Sequence, residues 1–134
     1  MWVVKQFPLR IHEQAALAAV AAECAADQGM FWEMHDLLFE TVDQWSVGES
    51  EAAFSGLAGQ LNLDVPAFER CLNSRQALER VLDDLYDAQG IVDGAPTFVV
   101  IYGSSGKVVR GSLSDNFPDT LQGMLEEAQA AESK

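Results

Sequence analysis

Hydrophobic residues recur every three or four positions through most of the chain, which is the spacing of one helix face. The clearest stripe predicts a helix over residues 31–45, and its members are Phe31, Met34, Leu38, Val42 and Trp45. The same spacing predicts five further helices. These cover residues 13–28, a segment capped by Ser50 and ended by Asn62, a short segment capped by Asp64, residues 75–89 capped by Ser74, and a final helix that begins at Pro118.

Two stretches have the pattern of strands instead. Residues 2–7 alternate loosely and are rich in β-branched and aromatic side chains, so they predict a short strand that Pro8 ends. A second β-rich run follows Pro96, which has no N–H to donate to a sheet, so we expect this residue at the entrance of the strand. It is also a candidate for a cis peptide bond. Residues 103–106 predict a turn, and residues 107–111 predict the returning strand of a β-hairpin.

The order of these elements is one strand, five helices, a hairpin, a polar loop at residues 112–116 and a last helix. A strand and a hairpin separated by helices favour an α/β sandwich with a helical insertion. The 134 residues are enough for one domain, and the 49% content of hydrophobic residues is enough for a buried core.

Charge narrows the range of partners. The formal net charge is −13 at pH 7, which disfavours binding to nucleic acid and to anionic membrane surfaces. No apolar run approaches the roughly 20 residues of a membrane span. The first residues also lack the pattern of a signal peptide. The chain as written is therefore expected in the cytoplasm, unless it is a mature or trimmed form.

Candidate chemistry is sparse in this sequence. Cys24 and Cys71 are far apart and form no C-x-x-C, so they predict two buried thiols, a structural disulfide between helices, or a redox pair. No spacing typical of metal ligands surrounds His35, and Trp32 is expected to pack against other elements rather than to bind a ligand. No paired catalytic acid and base, nucleophile elbow or phosphate-binding loop occurs. We therefore predict no catalytic residue, no metal and no cofactor.

Three segments, in this order, are together similar to one known family. The first is Phe7-Pro8-Leu9 followed by the alanine-rich helix, and the second is Gln28-Gly29-Met30-Phe31-Trp32-Glu33-Met34-His35-Asp36-Leu37-Leu38-Phe39. The third is Gly94-Ala95-Pro96-Thr97-Phe98. The segments resemble the DsbA-like thiol-disulfide oxidoreductases of the thioredoxin superfamily, and the resemblance extends over essentially the whole chain. It implies an α/β, thioredoxin-like (DsbA-type) fold that is truncated at the N-terminus. In one domain, residues 1–10 and 91–134 would form the thioredoxin-like part, with a C-terminal β-hairpin plus helix, and residues 11–90 an inserted helical domain.

The resemblance also implies which residues bind and what is missing. Family members carry C-x-x-C on a helix that would precede the first strand of this chain, so the catalytic motif is absent here. In that family the residue before the cis-proline faces the active cysteines and offers its backbone to a substrate strand. By resemblance, Ala95, Pro96 and Thr97 are therefore a substrate-binding loop. Family members also carry a cysteine pair in the helical domain, which favours a disulfide between Cys24 and Cys71 in an oxidising compartment. The family is typically periplasmic or extracytoplasmic.

Three functions follow as hypotheses. The first is a redox-inactive binding or interaction module without C-x-x-C. The second is a fragment of a thiol-disulfide oxidoreductase or isomerase whose C-x-x-C lies outside this chain, and the third is a relative of glutathione-dependent isomerases. Because the missing strand and helix would leave apolar surface and strand edges uncovered, we expect a homodimer. A peptide or protein is the candidate partner at the edge formed by the proline corner.

Overall fold

The computed structural model describes residues 1–48, 50–103, 105–111 and 117–132. Its elements, in chain order, are α1 (Ala15–Ala26), α2 (Phe31–Glu40), α3 (Val42–Trp45), α4 (Ser50–Gln60), α5 (Val65–Leu72), α6 (Arg75–Ala88), β1 (Thr97–Tyr102), β2 (Ser105–Arg110) and α7 (Phe117–Glu132). The chain divides into two compact units. We call Met1–Ala88 the helical unit and Gln89–Lys134 the hairpin unit.

The core of the helical unit is built around α1. This helix is mostly alanine, and small side chains on all its faces let neighbouring helices approach closely. Helices α2, α4, α5 and α6 all contact it. The largest fully buried side chains are contributed by these neighbours and by α1 itself: Phe54, Phe68, Met34, Val81 and Cys24.

Short polar residues set three helix ends where the sequence predicted them, at Asp64, Ser74 and Asn62. The predicted N-cap at Ser50 is wrong, because Ser50 is the first residue of α4 and its hydroxyl donates to the Trp45 carbonyl oxygen. Asp64 precedes α5, and its Oδ1 accepts a hydrogen bond of 2.9 Å from the Ala67 N–H. Ser74 precedes α6, and its Oγ accepts from the Ala77 N–H at 3.2 Å. Asn62 follows α4 with a positive φ of 56°, a conformation that ends helices and that asparagine tolerates better than most residues.

Removal of the Asp64 cap should destabilise the helical unit. We expect Asp64→Ala to lower the free energy of unfolding by about 1 kcal/mol, because the Ala67 N–H loses its acceptor. Urea unfolding followed by circular dichroism measures this difference. Asp64→Ser is the matched control, since a serine oxygen can still accept at the N-cap. An equal loss in both variants would contradict the capping role.

The helix predicted over residues 31–45 is divided at Thr41. The Thr41 hydroxyl donates to the Leu37 carbonyl oxygen at 2.6 Å, and its φ of −111° is not helical. The prediction of one continuous helix is therefore wrong at this point. The chain resumes as α3, and the Trp45 indole N–H donates to the Leu38 carbonyl oxygen at 2.8 Å.

The strand predicted over residues 2–7 is absent. This segment has no partner strand among the described residues. Its polar groups bond to helices instead, and the Gln6 side-chain amide donates to Glu23 Oε1 of α1 at 3.2 Å. The Gln6 N–H donates to Asp84 Oδ2 at 2.8 Å, and Lys5 Nζ lies 2.7 Å from Asp84 and 2.9 Å from Asp87. The hydrogen bonds to Asp84 and Asp87 hold the pKa of Lys5 above its ordinary value. A segment of β-rich composition, without a partner strand, is therefore held by ion pairs and side-chain hydrogen bonds.

The hairpin unit contains the predicted β-hairpin. Strands β1 and β2 pair in antiparallel register, from Thr97 opposite Arg110 to Tyr102 opposite Ser105. Helix α7 packs on both strands, and the Phe98 and Phe117 rings lie 6.0 Å apart. Ser104 of the predicted turn and the predicted polar loop at residues 112–116 lie outside the described residues.

The structure contradicts the thioredoxin-like α/β fold that the resemblance implied. Within the described residues the sheet contains β1 and β2 alone, and helices form most of the secondary structure. The physical reason is the same as for residues 2–7, because strands need neighbours to pair with, whereas the helices here satisfy their own backbone. The division into residues 1–10 and 91–134 against residues 11–90 stays a prediction.

Candidate functional site

The two cysteines form a disulfide in the helical unit. Cys24 of α1 and Cys71 of α5 have sulfur atoms 2.04 Å apart and Cα atoms 5.7 Å apart. Cys24 is fully buried, whereas Cys71 is half-buried. A disulfide sulfur has no thiolate with which to attack a substrate, so the pair acts here as a covalent link between two packed helices.

A charged cluster borders the half-buried end of this link. Asp27 Oδ2 lies 3.5 Å from Cys71 Sγ and accepts a hydrogen bond of 3.0 Å from Arg80 Nη2. Arg80 also reaches back to Glu23, with its Nε 3.4 Å from Glu23 Oε2. Arg80 therefore connects α6 to α1 beside the disulfide. These ion pairs stabilise the packing of the two helices.

The proline corner lies in the hairpin unit. The peptide bond between Ala95 and Pro96 is cis. The Thr97 hydroxyl donates to the Gly94 carbonyl oxygen at 2.6 Å, and the Pro96 carbonyl oxygen accepts from the Gly111 N–H at 2.9 Å. Ala95 and Pro96 are exposed, and Thr97 is half-buried. The binding role predicted for these three residues, like the predicted homodimer, stays a prediction.

An ion pair lies next to the proline corner and joins the two ends of the hairpin. Arg110 Nε donates to Asp93 Oδ1 at 3.0 Å, linking the end of β2 to the segment before β1. This hydrogen bond, together with the positive charge of Arg110, holds the pKa of the Asp93 carboxyl below its usual range. Asp93 is therefore a carboxylate at neutral pH, and it is paired with Arg110.

An exposed row of rings on α2 escaped the sequence analysis. Trp32 is 49% exposed and Phe39 is 72% exposed, although tryptophan at this position was expected to pack. His35 lies between them, with its ring centroid 5.6 Å from that of Trp32 and 5.0 Å from that of Phe39. We call Trp32, His35 and Phe39 the aromatic ridge. Its spacing of three and four residues, offset from the buried stripe of Met34 and Leu38, is the signal that could have revealed it.

An open cleft of about 610 Å³ also lies on the helical unit. Its polar lining is rich in hydrogen-bond acceptors and comes from the start of α4, the end of α5 and the residue before α1. These residues are Gln14, Ser50, Glu51, Ser55, Glu69 and Asn73. Ser50 is already engaged, because its hydroxyl donates to the Trp45 carbonyl oxygen at 2.8 Å.

The described residues also bear on metal binding and membrane insertion. Among those residues, no group of three or more His, Cys, Asp or Glu side chains is arranged to hold a metal ion. None of the helices in the described ranges combines the length and apolar character that a membrane span requires.

Comparison with known proteins relates the chain to antiporters. It is 41% identical over 102 residues to the Na(+)/H(+) antiporter NhaA 1 of Salinispora arenicola, covering 74% of this chain and 15% of that protein. It is 39% identical over 114 residues to the Na(+)/H(+) antiporter NhaA of Herminiimonas arsenicoxydans, covering 83% of this chain and 16% of that protein. A similar match, 37% identical over 117 residues, is the Na(+)/H(+) antiporter NhaA 1 of Mycolicibacterium gilvum, of which 17% is covered.

The match therefore accounts for most of this chain and for a small part of each relative. The chain spans only about 15–17% of the length of these relatives. No family model matches the chain. No solved structure is similar to it.

These relatives contradict the DsbA-like assignment. Relatives at 36–41% identity are named Na(+)/H(+) antiporters and not thiol-disulfide oxidoreductases. The three functions inferred from the resemblance are therefore withdrawn: the redox-inactive DsbA-like module, the fragment of an oxidoreductase or isomerase, and the glutathione-dependent isomerase relative. The earlier assignment relied on three short segments, whereas the identity to the antiporters extends over more than one hundred aligned residues.

Proposed function

We propose that this chain is an accessory segment of a Na+/H+ antiporter, attached to the part of the protein that exchanges the ions. The observation that supports this is the asymmetry of the match. Identity of 37–41% extends over 74–83% of this chain but over only 15–17% of the antiporters. The remaining length of those relatives is where the ion-exchanging part would lie.

The chemistry of the carboxylates supports an accessory role over a direct one. Ion and proton pathways through membranes use Asp and Glu side chains that face the interior of the transmembrane bundle. Here Asp84 pairs with Lys5 at the surface, and Asp27 pairs with Arg80 beside the disulfide. Asp64 accepts a backbone hydrogen bond as a helix cap. These carboxylates stabilise the helical unit.

An immunoblot of the native host tests whether the chain belongs to a longer protein. An antiserum raised against this chain should detect a band far above 14.6 kDa in the membrane fraction. The preimmune serum is the control. A band at 14.6 kDa alone, recovered without membranes, would overturn the proposal.

A transport assay separates the accessory role from the ion-exchanging one. In everted vesicles from a strain without its own antiporters, the long protein should dissipate a pH gradient when Na+ is added. This chain expressed alone should not. The long protein with residues 1–134 deleted should still exchange ions. Exchange by this chain alone, or its complete loss in a well-expressed deletion variant, would contradict the accessory role.

A further inference from the structure

The aromatic ridge is an exposed apolar surface that the core does not use. Helix α2 buries Met34 and Leu38 against the helical unit, while Trp32 and Phe39 lie on a neighbouring face with 49% and 72% of their surfaces exposed. Isolated exposed apolar residues are ordinary, but adjacent exposed aromatic residues are typical of binding surfaces. The ridge is therefore a candidate docking surface.

The three rings of the ridge contact one another in the chain alone. His35 contacts both neighbours, and its Nδ1 lies 2.9 Å from Asp36 Oδ1. Phe31 supports the row from the core side, with its ring centroid 5.3 Å from that of Trp32. Mutual contact restricts the rotamers of these side chains, which reduces the entropy that a partner would have to remove on binding.

Acidic side chains run beside the ridge on the same helix. Glu33, Asp36 and Glu40 are exposed, and we call them the acidic border. In the part of the chain that the structure describes, Glu33 and Glu40 have no ion-pair partner. The sequence from residue 11 to residue 69 contains eleven Asp and Glu residues and no Lys or Arg. The ridge therefore lies in a field that attracts cations and repels anions.

We propose that the aromatic ridge docks an amphipathic helix of a partner protein whose polar side carries Lys and Arg. The apolar face of that helix would cover Trp32 and Phe39, as in other helix-on-surface recognition. Its cations would meet the acidic border, and a cation over the Trp32 ring would gain a cation–π contribution. This inference does not rest on the antiporter proposal, since it uses only the chemistry of α2.

Calorimetric titration with a designed peptide tests the proposal. The probe is a peptide of about 18 residues, roughly five helical turns, with leucine on one face and lysine on the other. We expect saturable binding to this chain that weakens about ten-fold or more in Trp32→Ala/Phe39→Ala. Glu33→Gln/Glu40→Gln should weaken binding and reduce its salt dependence. Tyr86→Ala is the matched control, because Tyr86 is another exposed aromatic residue, 74% exposed on α6.

Two further probes separate the two components of recognition. A peptide with glutamate in place of lysine should not bind, and a peptide of the same composition without an apolar face should bind only weakly. If the circular dichroism spectrum shows that the double variant is misfolded, the single variants Trp32→Ala and Phe39→Ala replace it in the titration. Equal binding of the lysine peptide by the wild-type chain and a folded ridge variant would show general charge attraction and overturn the proposal.

Other occupants of the ridge give distinct results. A dimer in sedimentation experiments that dissociates in the ridge variant would show that a second copy covers the surface. Binding to phosphatidylcholine vesicles that the ridge variant loses would show a membrane contact. Either result would overturn the assignment of a cationic helix as the partner.

Discussion

Reduction of the disulfide between Cys24 and Cys71 should lower the free energy of unfolding of the helical unit by about 4 kcal/mol. The two residues are 47 positions apart, and a crosslink over such a loop removes conformational entropy from the unfolded chain in the standard estimate. Urea unfolding followed by circular dichroism at 222 nm, with and without dithiothreitol, measures the difference. This loss is a large part of the 5–15 kcal/mol typical of a folded domain, so the reduced chain should be marginally stable.

A variant without the disulfide provides the control for this measurement. Cys24→Ala/Cys71→Ala should unfold at a lower urea concentration than the wild-type chain in oxidising buffer, and dithiothreitol should not change its midpoint. If the wild-type midpoint is the same with and without reductant, while mass spectrometry shows that the bond has been reduced, the disulfide does not stabilise the helical unit.

Truncation of Phe54 should be comparably destabilising. Its side chain is fully buried in α4, with the ring centroid 5.5 Å from that of Trp45. Phe54→Ala removes buried apolar surface and leaves a cavity, and we expect a loss of about 3–5 kcal/mol in the free energy of unfolding. Tryptophan fluorescence, to which the neighbouring Trp45 contributes, and circular dichroism should report the same urea midpoint.

Phe39→Ala is the matched control for Phe54→Ala. Both variants remove the same atoms from a helix, but Phe39 is largely exposed, so its loss should change the free energy of unfolding by less than about 0.5 kcal/mol. Similar losses in the two variants would mean that Phe39 is buried in solution. That outcome would also weaken the case for the aromatic ridge.

Local signals made the helices predictable from the sequence. Asp64, Ser74 and Asn62 act through their own backbone neighbourhood, so each could be recognised without knowing the tertiary structure. The hairpin was predictable for the same reason, since a proline corner, a β-rich run and a glycine-containing turn follow one another in the chain. These elements depend on interactions between residues that are close in sequence.

Features that depend on distant residues were predicted poorly. Residues 2–7 have the composition of a strand, but a strand requires a partner that the local sequence does not specify. The spacing of Leu78, Val81 and Leu82 is typical of one apolar face of a helix, yet Val81 is buried and both leucines are exposed. An apolar stripe shows which side of a helix can be buried. It does not show how much of that side the neighbouring helices cover.

The candidate site was harder to predict than the individual helices and the hairpin. The proline corner stood out in the sequence only through a resemblance that the antiporter relatives contradict. Trp32 was expected to pack and Phe39 was not singled out, because an aromatic residue next to a buried stripe is usually part of the core, yet both are exposed. Distinguishing the two cases requires knowing where the neighbouring helices lie, which is tertiary information.

The disulfide has a consequence for proteolysis. Cys24 and Cys71 close a covalent ring that contains all of α2, α3 and α4. A protease that cuts the backbone inside this ring therefore produces two polypeptides that stay joined as one molecule. On a non-reducing gel the nicked protein should migrate close to the intact chain, and its two fragments should separate only after reduction. A single cut within the ring therefore releases no part of the helical unit.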